Sequence, residues 1–259
     1  MQSLLNQPLF FAGLVFVLTL SAAALGFWLH RGSLLDGADE MVLLAGGSAI
    51  GLAATLTAVV LGLVTASAAD EFDQANRAVA TAAADVLELN AILDSYGPDA
   101  APARDQLRSS VRAWADQLAS GQAPGDEIHG RAADSHTEVI FADIADLKPT
   151  TDLQSALRSR ALELVGNQGD VVQNRWFFTV RPSSLPPAFL LILLVWMVIE
   201  FFSFGLTSPR RAVVYLLIAV AALVISSAMF LVLELRDPIA GFIRVSSDPL
   251  NQAYAMLSE

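Results

Sequence analysis

Residues 187–233 read PAFLLILLVWMVIEFFSFGLT, then SPRR, then AVVYLLIAVAALVISSAMFLVL: two apolar runs of 21 and 22 residues around four polar ones. At 1.5 Å rise per residue, a helix needs about 20 residues to cross a hydrocarbon core. Each run is long enough, and so short a link can only turn the chain straight back. A transmembrane hairpin is the expectation. Toward the N-terminus two more windows of this kind occur, Pro8–Leu29 and Met41–Ala69, joined by the short link His30–Glu40. Among the four windows only one ionisable side chain is found, Glu200.

Composition agrees with this reading. Of the 259 residues 54% are hydrophobic and 16% charged, whereas a soluble domain is about half apolar and a quarter charged. The excess is concentrated in the four windows, which marks the bilayer as its solvent. The first window lacks a basic n-region, is too long for a signal-peptide core and is followed at once by a second span, so it is read as retained. The expected fold is an all-α integral membrane protein with four transmembrane helices in two hairpins and a helical extramembrane domain between spans two and three. The predicted boundaries are 1–69 for the first hairpin, 70–186 for the extramembrane domain, 187–234 for the second hairpin and 235–259 for a C-terminal tail.

The region between the hairpins is helical by pattern. Phe72, Ala75, Val79, Ala82, Val86, Leu89, Leu93 and Tyr96 follow at alternating steps of three and four, a heptad seam that extends the second span beyond the membrane. Gly97-Pro98 ends it. Leu107, Val111, Trp114 and Leu118 mark a second amphipathic helix, stopped by Gly121. Ser135–Glu138 and Thr151–Gln154 have the form of capping boxes. The first opens a short helix with Ile140, Ile144 and Leu147 inward, and the second a long one through Leu157, Ala161, Leu164 and Val171.

Charge narrows the partners. The formal net charge is −11, and residues 67–186 hold 18 Asp plus Glu against 10 Lys plus Arg, a net of −8. Such a surface does not bind nucleic acid and is a poor peripheral binder of anionic lipid. Two hairpins put both termini and residues 67–186 on one side of the membrane. The arginines near the span ends number five on that side (Arg77, Arg175, Arg181, Arg236, Arg244) and three opposite (Arg31, Arg210, Arg211). That distribution leans to a cytoplasmic domain in a multi-pass protein of the cell inner membrane.

Chemistry-bearing patterns are sparse. The chain has no cysteine, and no nucleophile motif, phosphate loop, dinucleotide fingerprint or zinc-protease motif. His129 and His136 flank Asp134 without a third well-spaced ligand. No catalytic residue, metal or cofactor is expected, and the chain is not read as an enzyme. Small residues recur at helical spacing in the second span at Gly47, Gly51, Ala54, Ala58 and Gly62, with Ser48, Thr55 and Thr65 beside them. This face either packs a neighbouring helix closely or lines a conduit. Glu200 lies about two-thirds along the third span, where a carboxylate costs a few kcal/mol and should meet protein, water or a counter-ion.

Four stretches carry a family likeness: VLGLVTASAADEFD (60–73), ILDSYGPDAAPARDQLRSSV (92–111), FFSFGLTSPRRA (201–212) and FLVLELRDPIAGFIRVSSDPL (230–250). Together they resemble the bestrophin-like family of bacterial membrane proteins of unknown function, over essentially the whole chain. The last is the most specific, with Glu234, Pro238, Gly241, Arg244 and Ser246 as its fixed points. The chain departs from the family pattern at Arg236, where an acidic residue is usual, and at Ile239, where an aromatic is. The family is named for its likeness to bestrophins, pentameric ion channels with four transmembrane helices per subunit and a helical cytosolic vestibule. The resemblance implies a homo-oligomer, a pentamer by analogy, that passes inorganic ions through the bilayer. The expected function is an oligomeric ion channel with its pore lined by the second span and a preference for cations. A non-conducting membrane scaffold or signalling adaptor that presents its helical domain to a partner is the alternative.

Overall fold

The computed structural model describes residues 8–30, 40–121, 139–179, 187–236, 238–239 and 241–258, with their side chains except at 40–45, 166–179 and 187. The described residues are helical, with turns between and no strand. Seven α-helices follow one another: α1 (Pro8–Leu29), α2 (Glu40–Tyr96), α3 (Ala101–Ser120), α4 (Asp152–Thr179), α5 (Pro187–Thr207), α6 (Ala212–Arg236) and α7 (Asp248–Leu257). A further helical segment covers 139–145. Helices α1, α2, α5 and α6 are long and apolar enough to cross a membrane.

The chain forms two compact units, one of residues 1–69 and 183–236, the other of 70–182 and 237–259. In the first, α1 packs along both α5 and α6. Phe11 and Val15 share a buried cluster with Val64 of α2, Leu190 and Leu193 of α5 and Met229 and Val232 of α6. Further along, Ala22 and Ala23 meet Phe201 of α5 and Ala222 of α6. The early part of α1 thus faces the early part of α5 and the late part of α6. Helices α1 and α5 run in the same direction, and α6 runs against them.

One crossing in this unit is made by glycine alone. A Cβ added to Gly26 would fall 2.2 Å from the Phe202 carbonyl oxygen, and one added to Gly205 would fall 2.1 Å from that of Ala23. The α1 and α5 backbones are therefore in direct contact, as small residues allow in membranes. Beside the crossing, Arg210 donates to the Phe27 carbonyl, covering one of the acceptors that a helix C-terminus leaves open. The Phe27 and Tyr215 rings meet edge to face at 4.7 Å.

The second unit is built on the seam read from sequence. Ala75, Val79, Ala82, Val86, Leu89, Leu93 and Tyr96 are all buried, and Phe72 packs against them half-buried. Leu107, Val111 and Leu118 of α3 face them, together with Ile140, Ile144, Ala161 and Val165. The helix ends agree with their chemistry. Gly97, at φ +113, follows the last turn of α2, and Gly121, at φ +70, closes α3; both positions favour a residue without Cβ. At the start of α4 the Gln154 backbone N–H donates to Thr151 Oγ1 at 3.1 Å, and Gln154 Oε1 accepts from the Thr150 N–H at 2.9 Å. The same side chain donates from Nε2 to the Tyr96 carbonyl at 3.0 Å. The other expected box, Ser135–Glu138, lies outside the described residues.

The C-terminal residues are part of this unit. Helix α7 buries Leu250, Ala253 and Leu257. Arg108 of α3 donates to the Leu257 carbonyl at 2.9 Å from Nε, and Arg112 to Tyr254 Oη at 3.1 Å. That hydrogen bond, with the guanidinium 5.4 Å from the ring centroid, holds the Tyr254 phenol below its usual pKa.

Candidate functional site

Glu200 is the chemically distinctive side chain of the membrane helices. It lies 13 residues into α5 and seven before its end, or roughly 20 Å and 10 Å along the helix axis. Both lengths place it well inside an apolar layer. The side chain is buried at 6% relative exposure, and Thr57 Oγ1 of α2 donates a hydrogen bond to its Oε1 at 2.5 Å. Thr57 is itself buried. Among the described residues, no lysine, arginine or histidine pairs with Glu200; Arg77–Asp73, Arg104–Asp94, Arg108–Asp105, Arg112–Asp116, Arg160–Glu88 and Arg160–Glu163 are among the ion pairs formed elsewhere.

A cavity of about 410 Å³, open on one side at the helix surface, adjoins this pair between α2, α5 and α6. Thr57 and Glu200 supply its polar wall, with Ser208 at the far end, and the remainder is apolar, including Phe201, Phe204 and Ile218.

The membrane part of α2 has little packing within the chain. In the most apolar stretch of 18 residues, 11% of α2 is buried, against 33% in α1 and α5 and 28% in α6. Its buried edge consists of Thr57, Val64 and Ala68. At 3.6 residues per turn, the Gly47, Gly51, Ala58 and Gly62 stripe and the stripe of Leu52, Leu56, Val59 and Leu63 lie on either side of that edge, each roughly a third of a turn from it. Gly47, Ser48, Gly51, Thr55, Ala58 and Gly62 are exposed, and Thr65 is half-buried. A Cβ at Gly47, Gly51 or Gly62 would meet nothing within 4 Å. Within one chain these glycines touch no neighbouring helix, and the close glycine crossing is at Gly26 and Gly205 instead. The Thr55 and Thr65 hydroxyls donate back to the Gly51 and Leu61 carbonyls, both at 2.8 Å.

The residues singled out near the C-terminus fall in two places. Glu234, in the last turn of α6, is fully buried. In the second unit a turn is closed by the Val245 N–H donating to the Pro238 carbonyl at 2.8 Å, with Ile239 and Val245 buried under it. Arg244 Nε donates to the Gly241 carbonyl at 2.8 Å, and Ser246 Oγ accepts from the Asp248 N–H at 3.1 Å. The segment is thus the entry to α7. No group of three or more metal-ligating side chains gathers among the described residues; His129, Asp134 and His136 lie outside them. Sequence reading missed Thr57, Gly26 and Gly205, none of which has a signal of its own in a single helix.

A family model described as a bestrophin-like domain matches residues 17–250. Among solved structures, a bacterial bestrophin homologue from Klebsiella pneumoniae, present as several point variants, matches at 15% identity. The match covers 95% of this chain and 97% of that one, with a TM-score of 0.68. A structure described as a membrane protein variant matches equally, at 15% identity and a TM-score of 0.68 over 95% of this chain and 97% of that one. At such identity the likeness is one of fold. No curated protein matches.

Proposed function

The chain belongs to the bestrophin-like family, and from that premise we propose that it is one subunit of an oligomeric, cation-preferring ion channel of the cell inner membrane, with its pore lined by α2. The observation that carries the proposal is the exposure of α2. A membrane helix with only 11% of its apolar stretch buried has most of its surface left for other subunits, lipid or a conduit. Closed rings are the usual symmetric assemblies, and a pore on the ring axis is lined by whichever helix faces it. The stripe of Gly47, Gly51, Ala58 and Gly62, flanked by Ser48, Thr55 and Thr65, is narrow and offers hydroxyl oxygens. The leucine stripe, roughly a third of a turn away around the helix, suits lipid or a neighbouring subunit.

Preference for cations follows from charge. Residues 67–186 carry a net of −8 in each subunit. In a ring that charge is repeated around the axis, and a conduit bounded by one sign of charge concentrates the other. Glu200, enclosed against Thr57, is not needed for this.

The membrane arrangement proposed is two hairpins, α1 with α2 and α5 with α6, and residues 70–186 as a cytoplasmic domain alongside both termini. Single cysteines introduced into this cysteine-free chain test both pore and topology. At Ser120 a cysteine is expected to resist an impermeant maleimide in intact spheroplasts, and at Ser33 to react. In reconstituted protein, thiol reagents should block current at Gly47, Gly51 and Thr55 and spare Leu52 and Leu56. Labelling at Ser120 overturns the orientation; block confined to the leucine stripe overturns the choice of pore face.

A further inference from the structure

We propose that the cavity between α2, α5 and α6 is a binding site for a small organic monocation with an apolar body, an arylalkyl- or alkylammonium, with Glu200 as its counter-ion. The inference does not depend on whether the chain conducts.

A carboxylate within an apolar layer is costly unless it meets a counter-ion, water or a network of donors. Glu200 accepts a hydrogen bond from Thr57 and, among the described residues, pairs with no protein cation. An ionised carboxylate offers about four lone-pair sites, so the Thr57 bond leaves capacity for a positively charged donor. The remaining requirement is space beside it, and the cavity provides about 410 Å³, within the roughly 300–1,000 Å³ range of small-molecule sites.

The lining selects the kind of cation. A hard metal ion asks for about six oxygens. The cavity presents the Glu200 carboxylate and the Thr57 hydroxyl together, while Ser208 lies eight residues on, about 12 Å along the helix direction. The other side chains lining it are apolar. An ammonium head needs only two or three acceptors. It can donate to the free positions on Glu200 and to the Thr57 oxygen, whose own proton already points to the carboxylate. Its apolar body then lies against Phe201, Phe204 and Ile218, and an aromatic face near a desolvated cation adds further attraction. A neutral alcohol fits the walls but leaves the carboxylate uncompensated, and an anion is repelled.

The test uses the purified full-length protein with 2-phenylethylamine as the probe, and 2-phenylethanol and 3-phenylpropanoate as controls of similar shape. Saturable binding, followed by ligand-dependent rise in thermal midpoint and by equilibrium dialysis, is expected for the amine alone. Glu200→Gln should weaken it at least about tenfold, as loss of a hydrogen bond to a charged group does. Thr57→Val, which keeps the shape and removes the oxygen, should weaken it a few-fold. Ala221→Leu narrows the cavity without touching either polar group and should also weaken binding, which keeps the proposal testable if Glu200→Gln does not fold. Equal binding by the Glu200→Gln protein, or by 2-phenylethanol to the wild type, overturns the role of charge. Binding unchanged in Ala221→Leu overturns the location, and no saturable binding of the amine overturns the site.

Discussion

Gly205→Val is expected to leave little folded protein, a loss expected equally of a valine at the facing Gly26. Even the Cβ of the new side chain would stand 2.1 Å from the Ala23 carbonyl oxygen and 2.8 Å from its carbon. These are backbone atoms of a helix, so no rotamer change gives way. Relief requires α1 and α5 to separate, which undoes the cluster of Ala22, Ala23, Phe201 and Ala222. Overpacking that side chains can absorb costs about 1–3 kcal/mol; here the cost lies at or beyond the top of that range, against a total stability of about 5–15 kcal/mol. Gly13→Val is the control, since a Cβ there meets nothing within 4 Å. Thermal melts of purified protein should show Gly13→Val within a few degrees of wild type and Gly205→Val strongly lowered or absent from the folded fraction. Equal melting points would show that the α1–α5 crossing is not tight.

Gly51→Leu is expected to do the opposite: leave the subunit folded and remove the assembled activity. Nothing of the same chain lies within 4 Å of a Cβ at this position, so the subunit itself accommodates leucine. In a ring, the new side chain either separates close helix backbones or fills a constriction. Current per milligram of reconstituted protein should fall strongly, because a bulky apolar side chain at a constriction obstructs or dewets a narrow pore. Leu56→Ala, on the exposed stripe of the same helix, should conduct much as wild type does. If Gly51→Leu keeps its oligomer and its current, the small-residue face of α2 is neither a close contact nor a pore wall.

These two glycines mark where sequence reading reached and where it stopped. Hydropathy alone located all four spans, because a bilayer crossing needs length and apolarity whatever the helix packs against. The seam from Ala75 to Tyr96 was legible for the same local reason: its buried positions recur on one helix face. The Thr151–Gln154 cap depends only on neighbouring residues: the Gln154 N–H donates to Thr151 Oγ1 as expected, while the Gln154 side chain accepts from the Thr150 N–H, one residue before the expected partner. What escaped depended on pairs of helices. Gly51 stands out by spacing within one helix, whereas Gly26 and Gly205 belong to no small-residue repeat and acquire meaning only once α1 and α5 are known to cross.

Glu200 drew attention as a lone charge, but its partner Thr57 is one of several threonines in α2 and nothing local distinguishes it. Helix α7 had a readable signature in Ser247-Asp248-Pro249 followed by Leu250, Ala253 and Leu257. The sequence reading gives residues 235–259 only as a C-terminal tail.

The reversal potential of purified, reconstituted protein in a planar bilayer under a potassium chloride gradient tests the proposed function most directly. A pore bounded by domains of net charge −8 per subunit should pass current that reverses close to the potassium equilibrium potential. The displacement should shrink as salt rises, because the Debye length falls from about 10 Å at 0.1 M to about 3 Å at 1 M. Reversal at the chloride potential contradicts cation preference, and absence of any current from folded, oligomeric protein contradicts the channel itself.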